Sequence, residues 1–208
     1  MRRLLITLYA LILAVLANHA VAVTLSLQPA SQTAMPGDTV TLDLVIDGLG
    51  DFASDSLGAF DIDIAYDTSV LTFSGYTLGP YLGDVSLSEA VDFSLGDSGG
   101  TVNITELSLL ENDDVSCFFC IPPYLDEIQP GSFTLASLDF TVDVLDPGAS
   151  TIVAIDTVNA LGDGFGAALT VESTTDAVIN AVPVPAAVWL FGSGLIGLIG
   201  LARRKQSA

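Results

Sequence analysis

Between residues 23 and 182 the chain has no lysine, no arginine and no histidine. Its five basic residues are Arg2, Arg3, Arg203, Arg204 and Lys205, and its one histidine is His19. All 25 acidic side chains fall inside the stretch that lacks them, so that body carries a formal charge of −25 against −20 for the whole chain. A surface of that sign repels phosphates and anionic headgroups, which excludes nucleic acid and anionic lipid as partners. It attracts divalent cations loosely, or draws on salt to screen its own repulsion.

The same absence removes most catalysis. A nucleophilic triad needs a base, and the body has no His or Lys to supply one. Phosphoryl transfer needs Arg or Lys against the developing charge. A carboxylate pair of the glycoside hydrolase kind is the arrangement the composition still allows. No spacing among the acids selects such a pair, and Asp61 and Asp63 on one strand face read as solvated. The chain therefore reads as a non-enzyme, with a carboxylate-based glycoside hydrolase as the weakest alternative.

Tryptophan is also missing from the body, since Trp189 lies beyond it. Flat aromatics with a polar edge are the usual sugar platforms. Tyr76, Tyr81, Phe118, Phe119 and Tyr124 are the loop aromatics available, as ligand contacts or as packing at the sandwich ends.

Cysteine is scarce. Cys117-Phe118-Phe119-Cys120 has thioredoxin-type spacing, but that chemistry needs a helix N-terminus to lower the thiol pKa. Here Asp113-Asp114 precedes and Ile121-Pro122-Pro123 follows, so the local charge raises it. Zinc wants four ligands, and two thiols without imidazole fall short. A structural disulfide between Cys117 and Cys120 is favoured, worth about 2 kcal/mol by loop closure. No cofactor is implied. Calcium on the oxygen-rich loops, at Asp47 and Asp51 or at Asp113 and Asp114, is weighed against plain solvation; neither loop follows the EF-hand order.

What the body has is strand patterning. Val40, Leu42, Leu44 and Ile46 alternate with Thr39, Thr41 and Asp43, the period of a half-buried strand. Phe60, Ile62, Ile64 and Tyr66 repeat the pattern with Asp61 and Asp63 opposite. Phe133 and Leu135 share one phase and Leu138, Phe140, Val142 and Val144 the other, which predicts a β-bulge at Ala136-Ser137. Shorter strands are expected at 23–27, 70–73, 102–110, 152–155, 168–171 and 177–181, and Pro29-Ala30-Ser31 reads as a break. Seven to nine short strands in about 160 residues predict one all-β domain, an antiparallel two-sheet sandwich of jelly-roll or immunoglobulin-like type.

The ends carry addresses. Arg2-Arg3, an apolar run over 4–17 and Ala20-Val21-Ala22 make a signal peptide over 1–22, with Ala20 and Ala22 at the small-x-small cleavage site. At the other end Val182-Pro183-Val184-Pro185 leads into residues 186–202, seventeen residues without a charge, and Arg203-Arg204-Lys205 closes it. Such a helix spans roughly 25 Å, short of a bilayer core of about 30 Å, and four glycines weaken it. Val182, Pro183, Val184, Pro185, Ala186, Ala187, Trp189, Ser193, Gly194, Arg203 and Arg204 resemble the C-terminal sorting signal of the PEP-CTERM family, with Val184 where the type motif has Glu. The resemblance implies an exosortase-type processing enzyme as partner. It also implies a precursor held in the inner membrane by the 186–202 helix, then delivery to the cell surface or matrix of a Gram-negative, exopolysaccharide-making bacterium.

Within the body, Pro36-Gly37-Asp38-Thr39-Val40, the run Phe60-Asp61-Ile62-Asp63-Ile64-Ala65-Tyr66-Asp67 with Val70-Leu71, and Leu135-Ala136-Ser137-Leu138-Asp139-Phe140 resemble a cohesin domain over 23–181. That resemblance implies a nine-stranded jelly-roll and a binding role, toward a dockerin-like protein or an exopolysaccharide. A structural matrix protein cross-linked by divalent cations is the alternative. Intact-mass measurement of the protein from its host is expected to show residues 1–22 and the Arg203-Arg204-Lys205 triplet gone. Retention of the triplet would make the tail a lasting anchor rather than an address.

Overall fold

Alternation decides the architecture. In β1 (Ala22–Gln28), Val23, Leu25 and Leu27 are buried, and in β3 (Thr39–Asp47) the buried set is Val40, Leu42, Leu44 and Ile46. Successive side chains point to opposite faces of a strand, so each strand offers one apolar row and must cover it. Two sheets packed face to face do so. The computed structural model describes residues 22–50, 56–113, 115 and 120–183. The expected signal segment ahead of Ala22 and the tail from Val184 onward lie outside the described residues. Among the described residues no helix is long and apolar enough to cross a membrane.

The remaining strands are β2 (Ser31–Ala34), β4 (Leu57–Ala65), β5 (Leu71–Leu78), β6 (Ala90–Asp92), β7 (Gly96–Asp97), β8 (Thr101–Ser108), β9 (Ser132–Val142), β10 (Ser150–Asp163), β11 (Thr170–Thr175) and β12 (Ala177–Ala181). One short helix, α1 (Leu125–Ile128), lies between β8 and β9. The first sheet has the order β11-β1-β3-β9-β5. The second has the order β2-β12-β10-β4-β8-β6, with β7 also paired to β8.

Three features differ from the pattern read in the sequence. The sandwich is not purely antiparallel: β1 pairs β11 in parallel, and β12 pairs β2 in parallel. Residues 31–34 form β2 instead of ending at the break, because the chain crosses from one sheet to the other at Pro29-Ala30. β10 runs on to Asp163, well past Ile155. Its register against β4 shifts at Ile155/Thr157, Val158/Ala160 and Gly162/Asp163, and each shift breaks the period-two signal. The expected bulge is present one residue early. Leu44 pairs Ala136 while Val45 pairs Thr134, so Leu135 is the extra residue, and Leu135 and Ala136 are both buried.

The core is a layer of aliphatics around one aromatic cluster. Phe140 is fully buried, with the Tyr66 ring 5.2 Å away and the Phe73 ring 5.6 Å away at an edge-on angle of 64°. Gly79 is needed where the chain leaves β5, since a Cβ there would collide with the Thr134 carbonyl oxygen. Phe140→Ala is expected to cost about 3–5 kcal/mol in urea unfolding. Phe165→Ala, at a side chain 58% exposed, is expected to stay within about 0.5 kcal/mol; equal losses would mean that the aromatic cluster does not carry the core.

Candidate functional site

The outer face of the second sheet carries the most organised polar cluster. Asp61 and Asp63 project from β4, Asn103 from β8 and Asn159 from β10, on neighbouring strands. Asn103 Nδ2 donates to Asp61 Oδ1 at 2.7 Å and to Asp63 Oδ1 at 2.8 Å. Asn159 Nδ2 donates to the same two carboxylates at 3.2 and 3.0 Å. Asn103 Oδ1 is occupied in turn by the Leu95 amide at 3.2 Å and the Thr105 hydroxyl at 3.0 Å. Two acids are thus fixed by amides in a domain with no cation to do it.

A groove of about 500 Å³ runs over this cluster. Its rim is the broken edge strand, where Phe93 N–H bonds the Thr105 carbonyl at 2.9 Å and the Gly96–Asn103 pair resumes the ladder. The kink turns Phe93 (56% exposed) and Leu95 (85% exposed) outward beside the acids. Fixed carboxylates next to exposed apolar side chains suit docking of a basic, partly apolar surface. Asp61 and Asp63 read in the sequence as solvated; the signal for their role is Asn103 and Asn159 in strands on either side, a pairing that only the sheet order reveals.

A larger cavity of about 790 Å³ opens between the sheets at the β5–β6 end. Tyr76 reaches across from β5, its hydroxyl donating to Asp92 Oδ2 at 2.7 Å. Burial pushes the Asp92 carboxyl up, but bonds from the Ser94 hydroxyl and amide and the Tyr76 hydroxyl leave it below its ordinary value. Glu106 sits beside Asp92 as its register partner, 1% exposed, with neither carboxylate oxygen hydrogen-bonded among the described residues. Burial, with the Asp92 charge second, raises its pKa to about 7.

The residues singled out in the sequence are scattered. Tyr76 lines the cavity. Tyr81 is half-buried with its ring 4.8 Å from Phe133. Tyr124 is buried, its hydroxyl bonded to the Cys120 carbonyl at 2.9 Å, and so is not offered to a ligand. Phe118 and Phe119 lie outside the described residues. So does Cys117; Cys120 is disulfide-bonded. Asp47 ends β3 and Asp113 accepts the Val115 amide at 3.0 Å, while Asp51 and Asp114 lie outside the described residues. Among the described residues no three Asp, Glu, Cys or His side chains converge as metal ligands. Ala22 opens β1 and Val182 and Pro183 follow β12; the other residues of both terminal signals lie outside the described residues.

The Glu106 environment has a signed pH consequence. Its pKa is higher folded than unfolded, so its contribution to stability is full below about pH 4.5 and is lost as pH rises through about 7. Relative to Glu106→Gln, the wild-type protein is expected to lose on the order of 3 kcal/mol between pH 5 and 8 in urea titrations. Parallel pH profiles for the two proteins would show that Glu106 ionises freely.

Comparison with known proteins supplies the family. Among curated proteins none matches the sequence. Among solved structures, CaCohA2 of Clostridium acetobutylicum in complex with CaDoc0917 is 20% identical, with a TM-score of 0.56 over 77% of this chain and 100% of that one. The sixth cohesin of scaffoldin B from Acetivibrio cellulolyticus, in complex with the Cel5 dockerin, is 16% identical, with a TM-score of 0.59 over 77% and 99%. The OlpA cohesin of Clostridium thermocellum, in complex with Doc918, is 10% identical, with a TM-score of 0.59 over 77% and 99%. What these share with the chain is the sandwich. Residues 23–181 match the model of the cohesin domain, from the first residue after the expected signal peptide to the last strand, and the chain belongs to the cohesin domain family.

Proposed function

We propose that the protein is an exported binding module that docks a protein partner on the outer face of its second sheet. The groove over Asp61 and Asp63 carries this reading: two acids pre-positioned by Asn103 and Asn159, with Phe93 and Leu95 exposed at the rim. Family membership and the complexes formed by the similar cohesins support a protein ligand, a dockerin-like helical module in the first place. A protein is favoured over an exopolysaccharide because the exposed rim aromatic is a phenylalanine, which has an apolar face without the polar edge that sugar platforms use. Export, exosortase processing and delivery to the surface or matrix complete the proposal and rest on the two terminal signals.

The test is capture from the host's own secreted proteins and exopolysaccharide, with the mature protein as bait. Leu95→Asp and Phe93→Ala are expected to lower recovery of the bound protein at least tenfold, and Val144→Asp, exposed elsewhere, to leave it unchanged. Equal recovery by all four baits, or capture of polysaccharide alone, overturns the proposal.

A further inference from the structure

Four carboxylates line the cavity between the sheets, and three are already met by donors. Asp92 accepts the Ser94 amide at 2.9 Å and the Tyr76 hydroxyl at 2.7 Å. Asp84 accepts the Ser86 amide and hydroxyl at 2.7 and 2.6 Å, and Glu89 accepts the Asp84 amide at 3.0 Å. Glu106 is the exception: 1% exposed, it has no partner on either oxygen among the described residues. Its neighbours across the sheet are Phe60 on β4 and Asp92 on β6, so one side offers no donor and the other offers like charge. An unmet buried carboxylate is far costlier than a solvated one, and such a group either takes up a proton or finds a partner. Residues 23–182 hold no basic side chain, so any charged donor comes from outside the domain.

The chemistry of that donor is constrained. A divalent ion wants six to eight oxygens in the case of calcium, and although Asp84 and Glu89 line the same cavity, among the described residues no three acids, thiolates or imidazoles are set to hold one ion. An N–H cation needs less: Glu106 offers two free oxygens and Asp92 adds a second charge. Leu78, Pro80 and Ile128 give the same cavity an apolar wall against which a methylene stem can lie. We propose that this mouth is a binding site for an organic cation with N–H donors on an aliphatic stem, an alkylammonium or guanidinium group that pairs with Glu106 and Asp92. It is separate from the groove, which lies on the outer face of the second sheet. A free polyamine and a lysine or arginine side chain of a bound protein present the same chemistry.

Binding is coupled to a proton. The groups facing Glu106 are Asp92 on β6, Tyr76 on β5, and Asp84 and Glu89 on the β5–β6 connection; α1 contributes Ile128 to the lining and not its acids Asp126 and Glu127. A cation in their midst favours the ionised form of Glu106, so a proton leaves as the cation enters and affinity rises from pH 6 to pH 8.

Calorimetry on the mature protein tests this with cadaverine, an acetylated Gly-Lys-Gly amide, calcium and glucose, at pH 6, 7 and 8 and at 0.15 M salt. A body of charge −25 gathers any cation diffusely, so the comparison is between two variants that each replace one acid by its amide. Cadaverine is expected to bind saturably, at least tenfold more weakly to Glu106→Gln than to Asp146→Asn, which neutralises an exposed acid elsewhere. Two buffers of different ionisation heat should show proton release at pH 7 that Glu106→Gln abolishes. Asp92→Asn, a second variant that leaves Glu106 in place, should weaken binding at least threefold. Binding of the peptide as well as cadaverine assigns the site to a partner's side chain; cadaverine alone assigns it to free amines. Equal affinities in Glu106→Gln and Asp146→Asn overturn the proposal, as does calcium or glucose binding that depends on Glu106 while cadaverine does not bind.

Discussion

No carboxylate of the folded body has a cation within the domain to pair with, so those that are held are held by neutral donors. That constraint explains the recurring local motif in its loops. Asp67 takes the amide and hydroxyl of Ser69, Asp84 those of Ser86, and Asp92 the amide of Ser94. Asp97 takes the Gly99 amide and Asp163 the Phe165 amide, always two residues on. Side chains that bond their own backbone in this way mimic a backbone turn. The Ser69 hydroxyl and amide hold the Asp67 carboxyl below its ordinary value, and the Ser86 pair does the same for Asp84. Between strands, hydroxyls again stand in for lysines, as in Thr72 with Asp143 at 2.6 Å.

Against that background two groups of acids are distinctive. Asp61 and Asp63 are reached by amides instead of hydroxyls, and the result is a rigid acidic pair on an open face. Glu106 is reached by no donor among the described residues, and the result is a recessed acid between the sheets. The two sites are therefore opposite solutions to one composition, the first pre-organised and the second unmet.

Much of the sandwich was legible because β3, β4 and β9 keep strict alternation over long runs. Val40 to Ile46 and Phe60 to Ile64 needed no tertiary knowledge. β2 was hidden because Ser31-Gln32-Thr33 is polar and pairs at a sheet edge, where burial leaves no period. The second half of β10 was hidden by three register shifts. Glu106 carries a signal of its own: it continues the phase of Val102 and Ile104, so alternation alone places it in the core. Asp61 and Asp63 could not be separated from ordinary solvated acids, because their partners Asn103 and Asn159 lie some 40 and 98 residues away in sequence.

The first and last strands have a mechanical consequence. β1 and β2 run beside β11 and β12 in parallel, with Ala22 next to Thr170 at one end and Ala34 next to Ala181 at the other. Both ribbons change sheets on the way, at Pro29-Ala30 and at Asp176, so together they clasp the two layers along one side. A pull applied between Ala22 and Ala181 therefore acts along the strands and loads the inter-ribbon hydrogen bonds together in shear. Peeling them one at a time would need the force to act across the strands, and parallel pairing denies it that direction.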